Sequence, residues 1–383
     1  MNRTADVVIV GGGVVGASTA YHLAAAGVGK VLLLERADRL AAGSTGACAG
    51  GFRVQFSSEV NIRLSLASVP MITGFTEQHG LPLDVAQDGY LFLIRTEELW
   101  RDFVAANALQ RSLGIDAELL SPEGAAALAP GIELEGVVGA SFCARDGIAD
   151  PSGLTQGYGT LARRAGAQIE LGTAVDAIRV VGDAVAGVST SAGDVDAPIV
   201  VNAAGPWAGE LAASAGVRLP LEPIPRHVLV TGGFPDAPER RTLVIDAVTS
   251  FYFHREGAGV LMGMANPEES ASFDLAPDDA FVADALLPTA LAVFPPLERA
   301  SIEHSWVGLY EMTPDRHPIV GAAPVDGLFL ANGFSGHGFQ HAPIIGKLLA
   351  ELIVEGAATT IDISGLSLQR FERGDLVREG HVV

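Results

Sequence analysis

The order of apolar and polar positions divides this chain into blocks, and the first block is the clearest. Val7-Val8-Ile9-Val10 is an unbroken β-branched run, the pattern of a strand buried on both faces. Gly11-Gly12-Gly13-Val14-Val15-Gly16 follows, and Ala17 to Ala26 then carries apolar residues at helical spacing and stops at Gly27. Val31 to Leu34 is a second buried-strand run that ends at Glu35. Together these form a βαβ unit of about thirty residues.

Further along, residues 43–51 are too rich in glycine for a regular element and read as a functional loop. Residues 59–79 read as helix. Residues 80–145 are mixed, with a short strand at Tyr90-Leu91-Phe92-Leu93-Ile94. Residues 151–165 read as helix, with Asp150 as N-cap and Pro151 in the first turn. Ala197 to Val201 is another buried strand, leading into Asn202-Ala203-Ala204-Gly205-Pro206-Trp207. Residues 220–305 return to strands, among them Ser250–His254 and Gly259–Gly263. A strand at Gly327–Ala331 precedes Asn332-Gly333-Phe334-Ser335-Gly336-His337-Gly338, and a last helix is expected over 342–355, starting near Pro343.

The α/β pattern thus appears in three separated blocks with strand-rich stretches between them. The chain is expected to be an α/β protein of two interleaved domains. A Rossmann-like dinucleotide-binding domain takes 1–78, 146–215 and 306–383. A strand-rich α+β substrate domain takes 79–145 and 216–305.

Composition narrows the function classes. Of 383 residues, 49% are hydrophobic and 18% charged, which supports a large core and argues against disorder. The formal charge is −21, from 24 Lys+Arg against 45 Asp+Glu, which argues against nucleic-acid and anionic-membrane partners. Two cysteines, Cys48 and Cys143, make neither a disulfide framework nor a Cys-rich zinc site. No His/Asp/Glu spacing reads as a metal site. No targeting or spanning segment is read, so the expected location is cytoplasmic.

Gly11-x-Gly13-x-x-Gly16 stands between a predicted strand and a predicted helix. The first glycine permits the tight turn, the second lets backbone approach a pyrophosphate, and the third allows close helix–strand packing. The helix start offers free N–H groups and a positive dipole end to phosphate. Glu35, at the end of the next strand, is placed to accept ribose hydroxyls and disfavours a 2′-phosphate. This fingerprint leaves FAD and NAD both open.

Four blocks carry a more specific resemblance: Val8–Gly16; Gly43-Ser44-Thr45-Gly46; Val201–Trp207; and Gly333 through His341. In this order, over nearly the whole chain, the sequence resembles the FAD-dependent amine and amino-acid oxidoreductases. That family includes glycine oxidase, D-amino-acid oxidase, monomeric sarcosine oxidase and the sarcosine oxidase β subunit. The resemblance implies FAD as cofactor, bound by Gly11, Gly13, Val14, Val15, Gly16, Glu35 and Arg36. Ser44, Thr45, Ala49, Gly50 and Gly51 follow in the second block. Val175 matches a position whose backbone contacts adenine, although a plain strand edge explains Val175 equally well. Ala203, Ala204, Gly205, Trp207 and Gly308 complete the middle of the site, and Gly333, Ser335, Gly336, His337, Gly338, Phe339 and Gln340 form the turn that opens the last helix. In the family that turn runs along the flavin, and a helix N-terminus there would favour negative charge near N1 and C2=O.

Departures from the family are equally informative. No Cys occurs after Cys143, so the family's cysteine linkage to flavin is excluded and non-covalent binding is expected. Cys48 reads as a small packed residue. Tyr310 stands where glycine and D-amino-acid oxidases place an Arg, Gln340 where sarcosine oxidase has a lysine, and Phe56 where it has an Arg. Gly259-Val260-Leu261-Met262-Gly263 lacks the lysine that promotes O2 reaction in sarcosine oxidase. The remaining candidates for substrate chemistry are Arg53, Tyr252, His254, Tyr310 and His337. Tyr252 and His254 lie two apart on a strand and share a face. His22, His227 and His304 read as structural, and Asp315 as shaping a loop near the ribityl chain.

The resemblance implies oxidation of a small-molecule amine or amino acid, of the glycine, sarcosine or other N-alkylated class, to an imine. Hydride passes to flavin N5, the imine hydrolyses, and O2 reoxidises the flavin with release of H2O2. The alternative is a dehydrogenase subunit passing electrons to another carrier, as an oligomer or a heteromeric subunit. An inactive flavin-binding partner subunit and an NAD-dependent dehydrogenase are weaker rivals.

Overall fold

The computed structural model describes residues 3–381. A six-stranded sheet runs in the order Gln168–Glu170, Val31–Leu34, Val7–Val10, Ile199–Asn202, Leu328–Asn332, Ile319–Ala322. Its first five strands are parallel, and Ile319–Ala322 is antiparallel to its neighbour. Every residue of Val7–Val10 is buried, as the β-branched run requires. Val7 and Ile9 enter one core, with the helices Val14–Ala25 and Gly338–Glu355. Val8 and Val10 enter a second core, beneath a four-stranded sheet that includes Val175–Val181 and Ala184–Thr190. The period-2 alternation of a strand thus supplies two cores from four residues.

An eight-stranded sheet runs Ile302–Met312, Glu222–Thr231, Gly259–Met264, Tyr252–Glu256, Leu243–Asp246, Tyr90–Ile94, Gly139–Cys143, Glu118–Leu120. One face carries Leu91, Leu93, Phe142, Leu229, Val244, Phe253 and Met262 into an apolar core. Its other face meets the glycine-rich loop at 43–51. Strands of the first sheet come only from the three blocks read as α/β. Strands of the second come from the intervening stretches and from Ile302–Met312, which crosses the expected boundary at 306.

Three local expectations need correction. The 43–51 stretch is not wholly irregular, because Ser44–Ala47 forms a single helical turn and Gly51–Phe52 a short strand. Glycine permits that turn: a Cβ on Gly46 would stand 2.2 Å from the Ala41 carbonyl oxygen. The 59–79 helix is two helices, Glu59–Thr73 and Phe75–His79, parted at Gly74. The last helix starts at Gly338, with Pro343 inside it. Proline interrupts the backbone ladder there. Ser68 Oγ donates to the Gln340 carbonyl (2.5 Å) and Ser18 Oγ to that of Pro343 (3.3 Å), which ties this part of the helix to two neighbouring helices.

Candidate active site

The carboxyl ends of the parallel strands form a glycine-lined cradle. Gly11 has φ +113°, and a Cβ there would lie 2.2 Å from the Ala203 carbonyl oxygen. A Cβ on Gly16 would lie 2.0 Å from the Gly11 carbonyl oxygen. Both positions therefore admit only glycine. The helix Val14–Ala25 begins at Gly13 without a side-chain cap, so its first-turn N–H groups lack partners from within the helix. Thr45 Oγ1 accepts one of them, from Val14 (3.2 Å). An added Cβ on Gly13 would meet only that Thr45 oxygen, and one on Gly43 only the edge of Trp207, so the cradle is open at both glycines.

Glu35 closes one side. Its Oε2 accepts Gly12 N–H (2.6 Å) and its Oε1 accepts Ala37 N–H (2.8 Å). The Glu35 carbonyl accepts Thr173 N–H (2.8 Å), which brings the segment ending at Val175 alongside. The Arg36 guanidinium stacks on Trp207, 3.6 Å from the ring centre. Ala203, Ala204 and Gly205 follow the central strand Ile199–Asn202, and Asn202 Oδ1 holds Ala204 N–H (3.2 Å). Ser44 is spent differently: its hydroxyl donates to the Leu309 carbonyl (2.7 Å), tying this loop to strand Ile302–Met312. Trp306 Nε1 donates to the Ala47 carbonyl (2.8 Å), and Gly308 packs under Ala47.

A second uncapped helix start lies at Gly338. The turn before it is tightly folded, with Gly333, Ser335 and Gly336 all at positive φ. Ser335, a non-glycine in that region, is held by bonds from its Oγ to the Gly333 carbonyl (3.2 Å) and from Thr313 N–H (3.1 Å). Glu311 backs the turn: its Oε1 accepts Phe334 N–H (3.4 Å) and its carbonyl accepts Ser335 N–H (3.1 Å). Burial pushes the Glu311 carboxyl up to about 7. His337 caps the helix start with backbone only, and both its ring nitrogens are buried without a partner. Burial and the nearby Arg53 charge push this imidazole well below its ordinary value, so it is neutral. Gln340 locks the helix to residue 53 through Arg53 N–H to Oε1 (3.0 Å) and Nε2–H to the Arg53 carbonyl (3.2 Å). Phe339 is buried beside it.

The polar face of the eight-stranded sheet meets these loops. Directly paired residues on neighbouring strands point the same way. Gly308 pairs with Arg226, Trp306 with Val228, Val228 with Gly263, and Gly263 with Tyr252. Trp306, Gly308, Tyr310, Arg226 and Tyr252 therefore share a face, and all five are half-buried between mostly buried neighbours. The Tyr310 ring lies against Gly336, where a Cβ would come within 2.5 Å of it. Burial pushes the Tyr252 and Tyr310 hydroxyls up, so both stay protonated. His254 shares the face of Tyr252, and its ring lies between two carbonyls: Nδ1 is 2.8 Å from that of Arg255 and Nε2 3.2 Å from that of Ala49, so the one N–H of the neutral ring donates to one of them. Burial lowers it to about 4, and it serves to fix the 49–51 backbone. Cys48 is in the same loop, and burial pushes its thiol up to about 11, which keeps it unreactive.

Arg53 is buried beneath the end of the chain. Its guanidinium donates to the carbonyls of Gln55 and His381 and lies 4.0 Å over the Phe56 ring. Glu379 anchors that terminal segment. Its carboxylate accepts from Ser57 N and Oγ, Ser58 N and Oγ, Asn61 Nδ2 and His381 N. These donors hold it far below the ordinary carboxylate range, against the cost of burial. Asp315 serves the same segment: it pairs with Arg370 in a buried salt bridge (2.7 Å), and its carbonyl accepts Glu379 N–H. Arg226, Glu311 and Glu379 escaped sequence reading. No local pattern marked them, and Arg226 lies in a strand, Glu222–Thr231, that also carries Glu222, His227 and Thr231.

A parallel sheet with a glycine cradle, an uncapped helix start and a strand-end carboxylate defines a dinucleotide-binding fold. The profile of the DAO family, FAD dependent oxidoreductases, matches residues 6–352. The chain belongs to that family. It is 32% identical to FAD-dependent oxidoreductase domain-containing protein 1 of Xenopus laevis, over 99% of this chain and 85% of that protein. L-proline dehydrogenase from P. horikoshii has the same fold, with a TM-score of 0.91 and 31% identity over 99% of this chain and all of that one. Glycine oxidase from Geobacillus kaustophilus gives a TM-score of 0.86 and 28% identity over 96% and 99%. The residues present fit FAD on structural grounds. Two helix starts lack caps, the cradle is open at Gly13 and Gly43, and His337 keeps two buried ring nitrogens free. Among the described residues no helix is long and apolar enough to cross a membrane.

Proposed function

We propose that this protein oxidises the carbon–nitrogen bond of a small amino acid, converting the amine to an imine that water then hydrolyses. Bound FAD supplies the hydride acceptor. Gly11, Gly13, Val14, Val15, Gly16 and Thr45 hold its pyrophosphate, Glu35 its ribose, and Arg36, Val175, Ala203, Ala204, Gly205 and Trp207 flank the adenylate half. Ala49 to Gly51, Gly308 and the 333–340 segment hold the ring half non-covalently.

The observation that carries the reading is the face bearing Tyr252 and Tyr310 against the Gly336 turn. It offers tyrosine hydroxyls as hydrogen-bond donors, and neither histidine beside it is a base at neutral pH. Both tyrosines stay protonated, and burial holds His254 and His337 neutral and at low basicity. The site therefore orients an amine that arrives unprotonated, with its lone pair free to form the C=N bond as the hydride leaves carbon.

The rate constant for anaerobic loss of flavin absorbance at low substrate should rise with pH, about tenfold per unit below the amine's own pKa. A flat profile between pH 6 and 9 contradicts a site without a base.

For the electron acceptor, O2 is the sequence expectation. A separate carrier is the alternative: His337 is neutral and the Arg53 guanidinium is turned to the carbonyls of Gln55 and His381, which leaves Arg226 as the cation on the sheet face for stabilising superoxide. Mixing anaerobically bleached enzyme with air-saturated buffer separates the two. Recovery of colour within a turnover time supports O2, and recovery only with an artificial electron acceptor supports the carrier.

A further inference from the structure

The polar face contains a cation that nothing in the fold accounts for. Arg226 projects from strand Glu222–Thr231 opposite Gly308, beside the 43–51 loop. Its Nη1 donates to the Pro225 carbonyl (2.9 Å), while its Nε is buried with no partner. Among the described residues it makes no ion pair, although the chain carries 45 acidic residues. The guanidinium lies 5.1 Å from the centre of the Tyr310 ring. Glu269 is the acid whose charge acts on it. It makes no hydrogen bond to Arg226, and its own Oε2 is buried and unpartnered.

A half-buried guanidinium without a counter-ion costs stability unless an anion completes it. Its fork matches a carboxylate, and the bond is charge-assisted. The protonated hydroxyls of Tyr252 and Tyr310 add neutral donors on the same face. From this geometry we infer that Arg226 is the substrate-carboxylate anchor, with Tyr252 and Tyr310 beside it and Glu269 as the competing acid. This assignment rests on the amino-acid reading above. It also resolves why Tyr310, Gln340 and Phe56 can stand where the resembled enzymes carry cations: the positive charge enters from another strand.

The test is binding, read on the FAD-loaded protein without turnover. Pyrrole-2-carboxylate and its uncharged carboxamide are titrated against the flavin spectrum of the wild type, Arg226→Met, Arg226→Lys and Glu269→Gln. The wild type should prefer the carboxylate. Arg226→Met should weaken carboxylate binding about 10- to 100-fold, the size of one charged hydrogen-bonded contact, with the carboxamide unchanged. Arg226→Lys should restore part of the loss, and Glu269→Gln should tighten the carboxylate. An Arg226→Met protein that keeps its FAD and its full preference for the carboxylate overturns the assignment. If amines bleach the flavin while that preference persists, only the anchor fails. If no amine bleaches it and neither ligand binds, the functional reading fails with it.

Discussion

Single side chains decide how this site is closed and charged. Glu379 gathers six donors from Ser57, Ser58, Asn61 and His381, and so pins the chain end over Arg53. Glu379→Ala leaves buried hydroxyl and amide donors unpaired and should lower stability by about 3 kcal/mol at neutral pH. Because the folded carboxyl titrates below its unfolded value, its stabilisation is present above the unfolded pKa and lost as pH falls through the folded one. The gap in melting temperature between wild type and variant should therefore narrow in acid, which thermal unfolding from pH 7 to pH 3 will show. Neither this anchor nor Arg226 was legible in the sequence. Glu379 reads as one acid near the last residues, and its side-chain partners Ser57, Ser58 and Asn61 lie more than three hundred residues upstream. By contrast, Gly11, Gly16 and Glu35 were legible, because their function depends on spacing within one local unit.

At the scale of elements, what the sequence made legible were local patterns: the βαβ unit, the 151–165 helix with its Asp150 cap (Ser152 N–H to Oδ1, 2.9 Å), and the Gly-rich turn before the last helix. Errors arose where distant segments override local preference. Pro343 signals a helix start, yet the helix begins five residues earlier, at Gly338, where it packs on two other helices through Ser68 and Ser18. Strand order was illegible for the same reason, since Val7–Val10 pairs with residues 31–34 and 199–202. The cradle makes its own prediction. Gly11→Ala places a methyl 2.2 Å from a carbonyl oxygen at φ +113°, so the purified variant should carry at most traces of FAD. A variant that retains stoichiometric FAD by absorbance contradicts the close approach of backbone at this turn.

On the scale of the whole molecule, the −21 charge is offset at the site by few cations and by two helix starts. Two buried acids add a pH dependence. Burial raises Asp146 and Glu311 each to about 7. Their folded values exceed the unfolded ones, so the unfolded state loses these protons first and stability falls as pH rises from about 4 to about 7. Glu311→Gln should flatten that slope, by at most about 3 kcal/mol over the interval, as read from denaturant unfolding across pH. An unchanged slope contradicts a protonated Glu311 behind the Gly333–Gly338 turn.

The central claim is that the Tyr252–Tyr310 face presents a small amino acid to FAD for oxidation at its carbon–nitrogen bond. The most direct measurement is anaerobic mixing of the FAD-loaded protein with glycine, sarcosine, L-proline and related amino acids, following flavin absorbance and carbonyl product together. The account predicts loss of absorbance with at least one of them, and one equivalent of imine-derived product per flavin. Retention of the oxidised spectrum with every amino acid would contradict it.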